Sequence, residues 1–278
     1  MFKADYHIHS NKSFDADPCA SIRDIFDYCA KNSINQAALC DHYDVNWVLN
    51  GTNPDIDFQD TRRQINEAKQ HYNSSCEFLL GIELGQPNQF PDKAMDVLSK
   101  NDFDFILCAL HNARDEDDFY YIDYQNNDVP TLIALYEKYT QELCELANWG
   151  HHFHSLAHIT YPVRYFLMNG IELSLKKYYD LYIKIFEILV RRGIALEVNA
   201  SGLSKPGNQP LPPFELLELY RSVGGELITV GSDAHNIGDI FKGIDYVYTR
   251  LAEIGFKYIS VIKDKKLVQV KICEYNVR

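Results

Sequence analysis

No stretch of these 278 residues is apolar for long enough to span a bilayer, and the opening MFKADYHIHS lacks the basic segment and long apolar run of a secretory leader. A soluble, cytoplasmic protein with no membrane partner is expected. Basic charge is scarce as well: 27 Lys and Arg face 39 Asp and Glu, leaving a formal net charge of -12. Such a surface repels a phosphate backbone instead of releasing its counterions, which counts against a nucleic-acid partner. The cysteines, Cys19, Cys29, Cys40, Cys76, Cys108, Cys144 and Cys273, are odd in number and form no CxxC pair. They read as reduced thiols packed as small hydrophobes. No internal repeat and no low-complexity linker interrupts the chain. One domain over residues 1–278 is expected, at a length typical of a single α/β barrel.

What is present is globular in composition, 46% hydrophobic and 24% charged, with 19 Tyr and 15 Phe to make an aromatic-rich core. Short apolar runs alternate with helix-like segments, the βα rhythm of a parallel sheet or barrel. The runs cover residues 3–9, 36–42, 77–84, 103–111, 153–159, 195–201 and 226–235. Helices are expected over 21–32, with Ser21 as cap and Asp24 three residues on, over 131–149, over 175–192 with a stop at Gly193, and over 213–223 before Gly224-Gly225. Residues 115–128 are acidic, tyrosine-rich and irregular, and are expected to form a loop over the site. The tail reads as two edge strands, 258–262 and 267–272, around a charged turn.

Residues able to bind metal fall at or just beyond the C-terminal ends of the runs. His7 and His9 close the first, Asp41 and His42 the second, Glu83 the third, His111 the fourth, His158 the fifth, and Asp233 with His235 the seventh. In a parallel barrel all those ends open on one face, so residues remote in sequence meet there. His7-Ile8-His9 alternates within a strand, so both imidazoles point to one side and can share an ion, with Glu83 and Asp233 completing the set. Glu83 can bridge to a second ion held by His111 and His158, and Asp15, His42 and His235 form a third site. His151, His152 and His154 compete weakly with His158 for the fifth strand's place.

The ordered motifs His7-x-His9, Asp15, Asp41-His42, Gly81-Ile82-Glu83, Leu110-His111, Ala157-His158, Glu197-x-Asn199 and Gly231-Ser232-Asp233-Ala234-His235 resemble those of the polymerase and histidinol phosphatase (PHP) superfamily. The stretch 195–202 and Pro212-Pro213 ahead of a helix resemble its monofunctional histidinol phosphatases. The resemblance implies a distorted (β/α)7 TIM-like barrel, three divalent ions (Mn, Fe or Zn) on the residues just named, and hydrolysis of L-histidinol phosphate. Asp15 stands where some relatives have histidine, which keeps a ligand and can alter metal preference.

Three dications offset by Asp15, Glu83 and Asp233 leave a positive pocket in an acidic protein, suited to a small phosphomonoester. A hydroxide bridging the two ions joined by Glu83 is the expected nucleophile, and Asp233 or His235 the expected proton source for the leaving alkoxide. Arg164 matches a position where the phosphatases have an arginine able to fork onto phosphate oxygens. Arg114 and Lys205 are further candidates for substrate contact, Asn199 and Ser201 for bonding substrate or orienting a ligand, and the acidic stretch 115–118 for the amino group of histidinol. The competing readings are a PHP phosphoesterase for another small phosphate or nucleotide, an amidohydrolase-type enzyme, and a scaffold that kept the fold without activity.

Overall fold

The computed structural model describes residues 1–53, 55–71 and 75–272; Cys273 lies outside them. Its strands are β1 (Ala4–Ile8), β2 (Gln36–Leu39), β3 (His42–Asp44), β4 (Glu77–Gly85), β5 (Phe105–Ala109), β6 (Ser155–Leu156), β7 (Ala195–Asn199), β8 (Ile228–Gly231), β9 (Tyr258–Lys263) and β10 (Lys266–Lys271). Strands β1, β2, β4, β5, β6, β7 and β8 stand side by side in that order, every pair parallel. The ring closes past the end of β8, where His9 N–H donates to Ala234 O at 2.9 Å and Ile8 bridges to Ala234. The result is a nearly closed seven-stranded α/β barrel, the TIM-like fold that the family resemblance implies and the seven runs match.

Why these runs become strands is plain from their burial. Helices cover the outside and side chains fill the inside, so β1, β2, β7 and β8 are buried at every position, and they carry no regular alternation of apolar and exposed polar residues; their polar members, such as His7 and Glu197, are themselves buried. Gly231 permits the closure: a Cβ there would run into His7 Cβ and the Glu197 carboxylate.

Between strands, the helix Ile22–Lys31 starts where Ser21 accepts a hydrogen bond from Asp24 N–H, and it buries Ile22, Ile25, Phe26 and Cys29 as one stripe. Each of the larger three contributes about 1.5–3 kcal/mol by leaving water. The helix expected over 131–149 begins slightly earlier, as Val129–Ala147, because Asp128 caps it by accepting from Thr131 N–H at 2.8 Å. The helix Tyr179–Arg192 ends at Gly193 in the left-handed region (φ +66°). Among the described residues no helix is long and apolar enough to cross a membrane.

Two elements differ from the sequence expectation. The second run is broken: β2 stops at Leu39 and β3 resumes at His42, pairing only with β4. The cause is Asp41, whose buried carboxylate accepts hydrogen bonds from Ser10 N–H, Ser10 Oγ and Ser13 Oγ and so turns toward the loop after β1. The fifth run is strand only at Ser155–Leu156. The tail does form a hairpin, β9–β10. It closes the end of the barrel opposite the strands' C-termini, since Ile262 N–H donates to Tyr6 Oη and Gln36 Nε2 donates to Ile262 O.

Candidate metal centre

At the C-terminal rim, Glu83 on β4 is the hub. Its Oε1 lies 2.8 Å from His158 Nε2 and 3.2 Å from His111 Nε2, and its Oε2 lies 2.8 Å from His42 Nδ1, 3.3 Å from His7 Nε2 and 3.6 Å from His9 Nε2. Asp233 Oδ1 faces His9 Nε2 at 3.3 Å and His7 Nε2 and His235 Nδ1 at 3.6 Å. Asp15 Oδ2 lies 3.1 Å from His235 Nε2 and 3.7 Å from His42 Nε2. All nine residues expected as ligands therefore meet in one cluster. Within it, donor atoms lying within 4.8 Å of one another group as His7, His9 and Asp233; His7, Glu83 and His158; His42, Glu83 and His111; and His9, His42 and His235. His111 and His158 thus each share Glu83 with a different histidine.

The imidazoles are aimed by acceptors that the sequence reading did not assign to the site. Glu197 Oε1 lies 2.7 Å from His7 Nδ1, Asp44 Oδ1 lies 2.7 Å from His111 Nδ1, and Ser13 Oγ lies 3.1 Å from His9 Nδ1. Each fixes the ring so that Nε2 faces inward. The sequence held a signal for two of them: Glu197 and Asn199 alternate on β7, and Asp44 follows His42 by two on β3, so each pair shares a face. Asp41, counted at a strand end, is spent instead on Ser10 and Ser13.

The donor set fits divalent ions. His7 Nε2, His9 Nε2, His42 Nδ1 and Glu83 Oε2 are buried, face one another and have no well-directed hydrogen bond among the described residues. Burial, reinforced by neighbouring His235 and His42, pushes the His9 imidazole down to about 3, so it is neutral and has a lone pair to offer. Burial opposes ionisation of Glu83 and Asp233, yet the surrounding histidines hold both carboxyls well below the usual range. Against the effect of burial, these and neighbouring carboxylates hold the imidazoles of His7, His42, His111 and His235 up, and a dication that displaces those protons leaves imidazole nitrogens and carboxylate oxygens, the set that zinc, manganese and iron take.

Above the cluster opens a cavity of about 370 Å³. Phe14, Trp47, Tyr120, Tyr121 and Tyr165 supply its aromatic walls, and Asp118, buried, accepts from Tyr161 Oη at 2.9 Å and Tyr120 N–H at 2.8 Å. The loop over residues 115–128 therefore covers the site as expected, with Asp118, Tyr120 and Tyr121 on the cavity wall.

The PHP domain pattern matches residues 5–201. The chain belongs to the PHP family. Over 272 residues it is 31% identical to a probable histidinol-phosphatase of Thermotoga maritima, covering 96% of this chain and 99% of the relative. A second probable histidinol-phosphatase, from Clostridium acetobutylicum, is 27% identical over 244 residues, which cover 86% of this chain and 89% of the relative. Among solved structures, the histidinol phosphate phosphatase of Lactococcus lactis complexed with zinc, L-histidinol and phosphate shares the fold. It superposes with a TM-score of 0.81 at 19% identity, over 96% of this chain and 98% of that one.

The four residues expected to contact substrate are dispersed in this PHP chain. Arg164 lines the cavity, with its guanidinium over Tyr161 (4.9 Å) and Tyr165 (5.8 Å) and Nη2 3.7 Å from Asp233 Oδ2. Its Nε and Nη2 are buried without a hydrogen-bond partner among the described residues. Asn199 takes the second of its two expected roles, buried behind the cluster. Its Oδ1 accepts from Ser201 N–H and Oγ, and its Nδ2 donates to Asp233 Oδ2 at 3.2 Å, so the amide orients a ligand and has little left for substrate. Arg114 points away because Glu142 and Gln89 hold it: Nη1 donates to Gln89 O at 3.3 Å and Nη2 lies 3.7 Å from Glu142 Oε1. Lys205 is exposed and lines a neighbouring cavity, not the one over the cluster.

Proposed function

We propose that this PHP chain hydrolyses L-histidinol phosphate to L-histidinol and inorganic phosphate as a cytoplasmic, metal-dependent phosphatase. The observation that carries the reading is the pairing of the nine-residue cluster with Arg164, a guanidinium whose buried Nε and Nη2 have no hydrogen-bond partner among the described residues, on the wall of the same cavity. A buried donor of that kind is costly unless something anionic completes it. The Thermotoga relative and the Lactococcus structure support the choice of substrate.

His7, His9, Glu83 and Asp233 would hold one ion, Glu83, His111 and His158 a second, and Asp15, His42 and His235 a third; manganese, iron and zinc all suit these donors. Bound divalent ions supply charge neutralisation at the phosphoryl oxygens and a nucleophilic water ionised near neutral pH. Arg164 forks onto the phosphoryl oxygens and orients phosphorus over the cluster. His235 and Asp233, at the rim beside the cavity, are placed to pass a proton to the departing alkoxide. Asp118 offers its carboxylate to the cationic end of the amino alcohol, and the aromatic walls of Trp47, Tyr120 and Tyr121 receive the imidazole.

The test is phosphate release from L-histidinol phosphate by metal-analysed enzyme, run beside an aryl phosphate and a nucleoside monophosphate. A kcat/KM for histidinol phosphate far above the other two is expected. Equal, weak rates on all three would leave a PHP phosphoesterase for another small phosphate and remove the histidinol assignment.

A further inference from the structure

Arg164 stands between two cavities of opposite character. Behind the metal pocket lies a second cavity, of about 390 Å³, walled by the 3-10 turn Ala200–Ser204 and the segment that follows β8. Arg164, Asp233 and His235 line both. Beyond those shared residues and the groups that would hold a metal ion or aim one of its ligands, the metal pocket adds the Asp118 carboxylate and an aromatic mouth, whereas the second cavity adds Lys205, Lys242 and Asp239. Lys242 Nζ lies 2.7 Å from Asp239 Oδ1, so the two offset each other. Lys205 makes no ion pair within the described residues and supplies the excess positive charge.

We propose that this second cavity binds inorganic phosphate and is the exit by which the anion freed at the metal centre leaves, while the cationic amino alcohol departs through the aromatic mouth. The source of the phosphate rests on the phosphatase reading; the binding site itself does not. The two products differ in charge, and the two openings differ in the same sense. A phosphate dianion moving out through the aromatic mouth meets the negative faces of Trp47, Tyr120 and Tyr121 and the carboxylate of Asp118. Moving the other way, it meets Lys205 and Lys242. The Arg164 guanidinium has five N–H donors in a planar fan, with Nε and Nη2 still unpartnered, so it can hold an anion on one side and pass it to the other without an interval of unpaired charge.

The experiment counts phosphates. Metal-loaded enzyme without substrate is brought to equilibrium with radiolabelled orthophosphate in a dialysis cell, and bound phosphate per chain is read at saturation. Two are expected, one over the metals and one in the second cavity. Lys205→Glu and Lys242→Glu each put a carboxylate into that cavity from an exposed position, and each should weaken the second phosphate at least tenfold. Lys242→Glu should also leave initial-rate kcat/KM within about twofold, since a tenfold loss corresponds to about 1.4 kcal/mol and none is expected at the metal centre. A single phosphate in the wild type overturns the proposal, as do two that survive both charge reversals. A KM that climbs with the loss of the second phosphate overturns it too, because the cavity would then belong to the substrate's own site. Two phosphates bound by an enzyme that fails to turn over histidinol phosphate would sink the proposed activity and leave the anion site standing.

Discussion

Glu197 Oε1 lies 2.7 Å from His7 Nδ1 while its Oε2 accepts the His158 backbone N–H at 2.9 Å. One carboxylate on β7 thus aims a histidine of β1 and pins the turn that presents another. That turn needs pinning, because His158 adopts φ +21°, outside the regions an L-residue prefers.

Replacing Glu197 by Gln keeps the size and one acceptor but turns an amide NH2 toward one of the two donors. Metal affinity should fall about 10–100-fold, the usual effect of losing a partner behind a ligating histidine. Metal retained after dialysis against a graded chelator series measures this. Retention equal to wild type would mean that the His7 ring is held by packing alone.

Glu83 faces five imidazoles at 2.8–3.6 Å, so Glu83→Gln removes the charge on which the whole cluster is centred. Turnover should drop to background while far-UV circular dichroism stays that of the wild type. Near-normal kinetics with full metal content would refute the bridging role.

Much of this was legible in the sequence because buried parallel strands are rich in apolar residues on both faces and each ends on the same face of the barrel. Ser21 and Gly193 marked helix ends through backbone chemistry that is local. What escaped depends on distant partners. Nothing near Arg114 says that Glu142 will hold it, and nothing near Asn199 says that Asp233 will take its amide. The break after β2 likewise comes from Ser10 and Ser13, about thirty residues upstream of Asp41.

The two arginines give a paired prediction. Arg164→Lys keeps the charge but loses the planar fork, and kcat/KM should fall roughly 10–100-fold, about 1.4–2.7 kcal/mol of transition-state binding. Arg114→Ala should change kcat/KM by less than about threefold, within the range of surface substitutions. Steady-state kinetics on both variants decide it, and a loss in Arg114→Ala equal to that in Arg164→Lys would return Arg114 to the substrate site.

Asp118 is the only carboxylate that the loop over residues 115–128 places on the cavity wall, 2.9 Å from Tyr161 Oη. Asp118→Asn should raise KM for L-histidinol phosphate about tenfold, the worth of one charge-assisted contact. Aryl phosphate hydrolysis, which presents no cationic end, should be untouched. An equal loss on both substrates would assign Asp118 to loop structure and not to recognition.

His154 offers a pH test remote from the chemistry. At the closed end of the barrel its Nδ1 accepts from Ile106 N–H at 2.9 Å, and its Nε2 lies 3.0 Å from Lys265 O on the hairpin turn. Burial pushes its imidazole down to about 4 from 6.5. The folded state therefore keeps His154 neutral where the unfolded chain has already taken up a proton. Stability from this residue is complete above pH 6.5 and is lost as pH falls toward 4, by up to a few kcal/mol at about 1.4 kcal/mol per pKa unit. Gln can make the same two hydrogen bonds without titrating. The difference in unfolding free energy between wild type and His154→Gln, taken at each pH under fixed excess metal, cancels the other histidines, which titrate alike in both. That difference should shift in favour of the variant across pH 6.5 to 4, and a flat difference would show that His154 protonates freely in the folded barrel.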